Sequence, residues 1–374
     1  MEIPSKSTRT TSIEFIRFIA AVSIMLYHFS SMYLELDKHN YIPLAFVFVD
    51  FFFLLSGFFM MKYLMTKDEP MNSFAYTLHK AKSFYGTYTI VFSFQFIFFV
   101  LSNHLSTITK VLESLFHFKW EFLLLQGAGF IQDPQFGADY LLGQAWYLSA
   151  MLLSLIIAYP LARYFKKAFI WVICPVSIIV IYSYIIQTLG TLNIGNEYFG
   201  FILSAIPRGF AGTCAGALSY AAFDKLKDSG LVEIHRGFAL TAEITCYISL
   251  AGFFVLRDHL NKQDSLFFIL VFAGIILLAF LNRTPVSRFF NSHGTGSFIY
   301  LGKLSLYLYL THWTVISAMK QFLPELPLAA SISIFLGGSL IVSVLLKLLE
   351  EKRRSPLPVI ILCLAAIGIA IAVA

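Results

Sequence analysis

The chain has 374 residues, 58% of them hydrophobic and 13% charged, about half the ~25% charged share of an ordinary soluble domain. Forty Phe and nineteen Tyr, a mean hydropathy of +0.76 and apolar runs recurring to the last residue exclude a soluble enzyme and describe a polytopic membrane protein. The net charge of +6 does not point to nucleic acid, because the basic residues form short clusters between apolar runs rather than one patch.

A spanning helix needs about 20 mainly apolar residues. Eleven runs qualify: roughly 12–33, 43–65, 84–102, 145–163, 169–189, 199–222, 237–256, 265–281, 304–320, 328–349 and 357–374. They predict an all-α transmembrane bundle of about 10–11 spans; the last run, short and preceded by Pro356 and Pro358, fits a span or an interfacial helix. The first run carries Arg17 and no small-residue cleavage site, so it reads as a retained helix in a chain that starts near Met1. Nineteen Lys and Arg fall in loops on the N-terminal side and six on the other, which predicts a cytoplasmic N-terminus.

Cys174, Cys214, Cys246 and Cys363 all lie in apolar runs, without a CxxC pair or a His at ligand spacing. They read as packing residues, and no metal is expected. The segment 103–144, with Trp120, Phe122 to Gln126 and Gln132-Asp133-Pro134, is too long for a structureless loop. Part of it reads as an interfacial helix roofing the outer side. No internal repeat is evident, which weighs against an inverted-repeat transporter.

Ionisable residues within spans mark function by default, since a charge at mid-bilayer costs at least ~2.5–3.5 kcal/mol. Glu14, Arg17 and His28 share one face of the first helix, because eleven residues at about 100° each leave His28 about 20° from Arg17. His28 then stands about 16 Å further along the axis, so one polar stripe links the two sides of the membrane. An Arg17 snorkelling beside Glu14 is the structural alternative. In the second helix Asp50 lies in an aromatic run ending Ser56-Gly57-Phe58, where it needs a cation such as Arg208, and Gly57 permits close helix approach. Ser305, Tyr309 and His312 share a face of the ninth run. Gln144 to Ser149 opens the fourth span, and its Trp146-Tyr147 pair also suits an interfacial anchor.

Taken in order, Arg17 and His28, Asp50 to Phe58 in the setting FFFLLSGF, Gln144 to Ser149 (QAWYLS) and Gly302 to Trp313 (GKLSLYLYLTHW) resemble the acyltransferase-3 family of bacterial integral-membrane acyltransferases. The resemblance implies a ten-helix bundle in the bacterial cytoplasmic membrane. It implies transfer of an acyl group, often acetyl, from cytoplasmic acyl-coenzyme A as co-substrate to a hydroxyl of a surface glycan or its lipid-linked precursor, with no bound cofactor. His28 and Arg17 correspond to the family's essential pair, and Glu350 to its terminal acidic residue. The third helix departs from the pattern: the family's two arginines and proline are replaced by His79, Lys82 and Tyr85-Gly86. On this reading residues 1–355 form one membrane domain and 356–374 an extra hydrophobic segment.

Acyl transfer to an alcohol needs a base and oxyanion donors with the thioester held close. His28, Arg17 and Asp50 are the catalytic candidates, His28 as base or as an acyl-imidazole nucleophile. Glu14, Ser56, Lys82, Trp146, Tyr147, Arg208, Ser305, Tyr309 and His312 are the binding candidates. Lys80, Lys82, Arg163, Lys166 and Lys167 are the nearest cations for the donor's nucleotide end. The same intramembrane charges would also suit a glycan transporter or flippase, or a glycan polymerase or ligase.

Overall fold

A computed structural model describes residues 10–35, 41–105, 107–129, 140–194, 197–199, 202–292 and 295–352. The last apolar run, Cys363 and the Gln132-Asp133-Pro134 turn lie outside the described residues. The chain begins with α1 (Thr11–Met32), α2 (Phe48–Thr66) and α3 (Ser73–Ser102), and the connection after α3 folds into α4 (Ile108–His117) and α5 (Lys119–Phe122). Next come α6 (Trp146–Tyr164), the single turn α7 (Lys166–Ala168), α8 (Cys174–Leu189) and α9 (Ala205–Leu226). The remainder is α10 (Leu231–Ile234), α11 (Arg236–Val255), α12 (Ser265–Leu281), α13 (Pro285–Ser292), α14 (Thr295–Phe322) and α15 (Leu328–Lys352). A short hairpin pairs Tyr198–Phe199 with Ile202–Leu203. The bundle has a near end, where α1 begins, and a far end, where α1 finishes.

Among the described residues, eight helices, some extended by adjoining turns, are long and apolar enough to cross a membrane. The architecture is an all-α polytopic bundle. Two further long helices, α9 and α14, are less apolar: α9 packs most closely on α2 and α14 on α1, and both carry small and polar residues along their length. A Cβ on Gly57 of α2 would lie 1.9 Å from the Thr213 carbonyl oxygen, and one on Gly216 of α9 would lie 1.8 Å from that of Leu54. The two backbones touch, as small residues in membrane helices allow.

Three span boundaries differ from expectation. α3 starts at Ser73 rather than near 84, because the Asn72 side chain caps it by accepting the Ala75 N–H at 2.8 Å. Its first turns also bury Tyr76 between Tyr63 and Tyr159, at centroid distances of 5.0 and 4.7 Å. The polar residues of this stretch hide it from a hydropathy count. α14 starts at Thr295 rather than 304. α9 starts at Ala205 rather than 199, because the hairpin occupies the residues before it.

Proline shapes α6. Pro160 lacks the N–H that would bond the carbonyl four residues back, and the Ser73 hydroxyl donates to that carbonyl, on Ile156, at 3.1 Å. Tyr159 and Arg163 both donate to the Met71 carbonyl at 2.6 Å. The turn between α2 and α3 is thereby fastened to α6, fixing the near-end rim of the bundle.

Candidate active site

The site is built on the contact between α1 and α14. Gly302 makes it close: a Cβ there would meet Glu14 Oε2 at 2.0 Å and Glu14 Cβ at 2.6 Å. Glu14 in turn accepts from Arg17 Nη1 at 3.0 Å, one helical turn along. Ser305 donates to the Gly302 carbonyl at 2.7 Å, so its hydroxyl is satisfied within α14.

Further along the same contact, His28 Nδ1 lies 2.9 Å from His312 Nε2, with the rings 4° from parallel. His312 Nδ1 is 3.1 Å from the Leu308 carbonyl oxygen, which can only accept. In the neutral pair His312 therefore donates from Nδ1 and carries its lone pair on Nε2. His28 must then donate from Nδ1, leaving Nε2 as its acceptor nitrogen. Trp313 and Tyr27 stand edge-on to the His28 ring at 5.4 and 5.6 Å and limit its tilt.

Asp50 and Arg208 are both fully buried and joined by a fork, Nη2 to Oδ2 at 2.7 Å and Nε to Oδ1 at 3.3 Å. Tyr182 also donates to Asp50 Oδ1, at 2.9 Å. Arg208 also donates to the Phe46 and Ile194 carbonyls at 2.8 and 3.3 Å, with Trp146 against the guanidinium at 5.5 Å. A buried charge survives only when paired and hydrogen-bonded, and this one also ties together α2, α9 and the two connections before them.

Two cavities flank the contact. The near-end cavity, about 210 Å³, is lined by Glu14, Arg17, Ser56, Lys80, Tyr147 and Ser305 among others. The far-end cavity, about 400 Å³, is lined by His28, Tyr27, Trp146, Asn193, Arg208 and Trp313 among others. Among the described residues, Tyr309 is the one common to both linings. Its hydroxyl donates to the Gln144 carbonyl, and the Gln144 side chain returns a bond to the Leu310 carbonyl at 3.0 Å. The turn before α6 is thus clasped to α14.

Eleven of the twelve candidate residues named by the sequence gather around these cavities. Glu14, Arg17, Ser56, Tyr147 and Ser305 line the near one; His28, Trp146 and Arg208 line the far one; Tyr309 lines both. His312 stands behind His28 and Asp50 behind Arg208. Lys82 is exposed and lines neither cavity; Lys80, two residues earlier, is the α3 cation that does. Arg163 is held by the Met71 carbonyl, and Lys166 and Lys167 are exposed. Glu350 accepts from Thr87 of α3 at 2.5 Å. Tyr27 and Asn193 join the site from the structure alone, since an aromatic or an amide near a span's end carries no signal of its own, and Trp313, which the sequence offered only as the end of the GKLSLYLYLTHW stretch, joins them.

Ten long helices among the described residues, enclosing two cavities lined in part by charged and polar side chains, define a multi-pass membrane protein with a candidate site inside the bundle. A family model for an acyltransferase domain matches residues 10–373. The chain belongs to the acyltransferase-3 family and is an acyltransferase in the general sense that membership carries. No curated protein and no solved structure matches it.

Proposed function

We propose that this acyltransferase is an O-acyltransferase that moves an acetyl group from acyl-coenzyme A on the cytoplasmic face to a hydroxyl of a surface polysaccharide, or of its lipid-linked precursor, on the opposite face of the bacterial cytoplasmic membrane. The observation that carries the reading is the His28–His312 pair at the far cavity, which leaves His28 Nε2 free to accept a proton.

Donor binding suits the near cavity, where Arg17 and Lys80 stand against the carboxylate of Glu14. That balance favours anionic phosphates, and Arg17 retains donors beyond those used on Glu14 for phosphate or carbonyl oxygens. Lys80 supplies from α3 the positive charge that the family's third-helix arginines would bring. The acceptor suits the far cavity, whose Trp146 and Trp313 offer flat apolar faces beside the amides of Asn193 and Gln144. The guanidinium there, on Arg208, is neutralised by Asp50.

In the reaction the acceptor oxygen attacks the thioester carbon as its proton passes to His28 Nε2. The carbon–sulfur bond breaks, and the proton passes from His28 to the departing thiolate of coenzyme A. His312 is a positioning residue: it holds His28 in the tautomer that accepts at Nε2.

The test uses purified protein in nanodiscs with labelled acetyl-coenzyme A and a panel of surface glycans. Label entering a glycan as a base-labile ester, and lost in His28→Ala, is the expected result. Retention of wild-type transfer by a well-folded His28→Ala protein overturns the reading.

A further inference from the structure

Tyr309 stands between the two cavities. Along one face of α14, Ser305 belongs to the near cavity and Trp313 to the far one, while Tyr309 borders both. The ring is braced on two sides, edge-on to Tyr147 at 6.0 Å and tilted against His312 at 6.1 Å. Its hydroxyl is fixed by the Gln144 carbonyl, itself part of the clasp through Leu310. Turning the ring aside therefore breaks a buried hydrogen bond, which is costly unless the partners are re-satisfied.

We infer that Tyr309 is the septum of the transfer path and the residue that limits the acyl group to a short one. The inference rests on the O-acyltransferase reading above. A thioester must come within ~3–3.5 Å of the attacking oxygen, and that oxygen must lie ~2.6–3.2 Å from His28 Nε2. The donor's arm stays in the near cavity, so the acyl end leads past Tyr309 and shares the far cavity, about 400 Å³, with the acceptor. A ring braced on two sides holds its position between the cavities and limits the size of a group that passes it. Each methylene too many in such a space discriminates by ~10–200-fold.

Two measurements test this. The first needs no activity. Ser31 lines the far cavity and has no assigned role, so Ser31→Cys reports access to that cavity. In sealed vesicles of known orientation, a membrane-impermeant thiol reagent is applied to each face, and labelling is counted above a parent without the added cysteine. Reaction from one face only is expected with Tyr309 or Tyr309→Phe present, and from both faces with Tyr309→Ala. Labelling from both faces with Tyr309 intact, or from one face in a folded Tyr309→Ala protein, overturns the septum.

The second is a donor series from acetyl- to hexanoyl-coenzyme A. Tyr309→Ala is expected to raise the hexanoyl-to-acetyl rate ratio at least tenfold, and Tyr309→Phe to leave it unchanged. An unchanged ratio in an active Tyr309→Ala protein overturns the length limit. If the native chain uses no acyl-coenzyme A, the O-acyltransferase reading and the length limit fall together, while the labelling result still decides the septum.

Discussion

His28 takes its hydrogen-bonding state from His312 on another helix, 284 positions away in the chain. Substituting His312 should therefore damage the reaction without touching either reactant. His312→Phe removes the acceptor for His28 Nδ1, and a rate loss of ~10²-fold or more, the lower range for general-base contributions, is expected. His312→Gln, which restores an acceptor oxygen, should recover part of it. Equal rates in the native and His312→Phe proteins would remove His312 from the mechanism. Arg17 makes a second prediction at this scale. Arg17→Lys keeps the charge but loses the planar fork, so the KM for the donor should rise several-fold with the melting temperature unchanged. Unchanged donor kinetics would reduce Arg17 to a structural partner of Glu14. Helical spacing places His28 on the stripe with Arg17 and places His312 with Tyr309. It carries no information on which stripe faces which, because that depends on the packing of α1 against α14 and on Gly302 letting Glu14 approach.

Packing between helices explains what hydropathy can and cannot reveal about them. The apolar runs locate the spans because a helix that crosses lipid is mainly apolar, whereas α9 and α14 carry more small and polar residues and signal more weakly. The start of α3 escapes a hydropathy count because capping and aromatic stacking, not hydrophobicity, extend the helix beyond its apolar core. The α2–α9 contact yields a stability prediction. Gly216→Ala puts a carbon 1.8 Å from the Leu54 carbonyl oxygen, whereas Gly252→Ala meets nothing within 4 Å. In detergent the first should lower the melting temperature by the equivalent of ~1–3 kcal/mol or more of overpacking, and the second should leave it in place. The connection between α3 and α6 gives a pH prediction. Glu121 is buried, and its carboxylate accepts from the backbone of Leu141 and Leu142 at 2.8 and 2.5 Å. Burial pushes its pKa from the ordinary 4.5 up to about 7, against the pull of those two N–H groups. A raised acid pKa means that the folded chain holds the proton more tightly than the unfolded one, so this group's contribution to stability declines as pH rises from 4.5 to about 7. Glu121→Gln should flatten that part of the melting-temperature profile; an identical slope in both proteins would contradict the assignment.

Across the whole molecule, the two cavities lie toward opposite ends, and among the described residues they share one bordering side chain, Tyr309. With the near end in the cytoplasm, as the distribution of Lys and Arg predicts, the donor's charged nucleotide never has to enter the bilayer. The orientation is checked in sealed vesicles: label should pass from coenzyme A on the near-end face to glycan on the far-end face. Transfer confined to one face would contradict it. Split cavities also set the electrical character of the reaction. In the proposed reaction, as each acyl group moves to the far side, the proton of the acceptor hydroxyl moves to the near side and leaves on the coenzyme A thiol. The acylium equivalent going one way and the proton going the other cancel, so a turnover carries no net charge through the membrane field. A potassium diffusion potential imposed on proteoliposomes, of either sign, should leave the final extent of transfer unchanged.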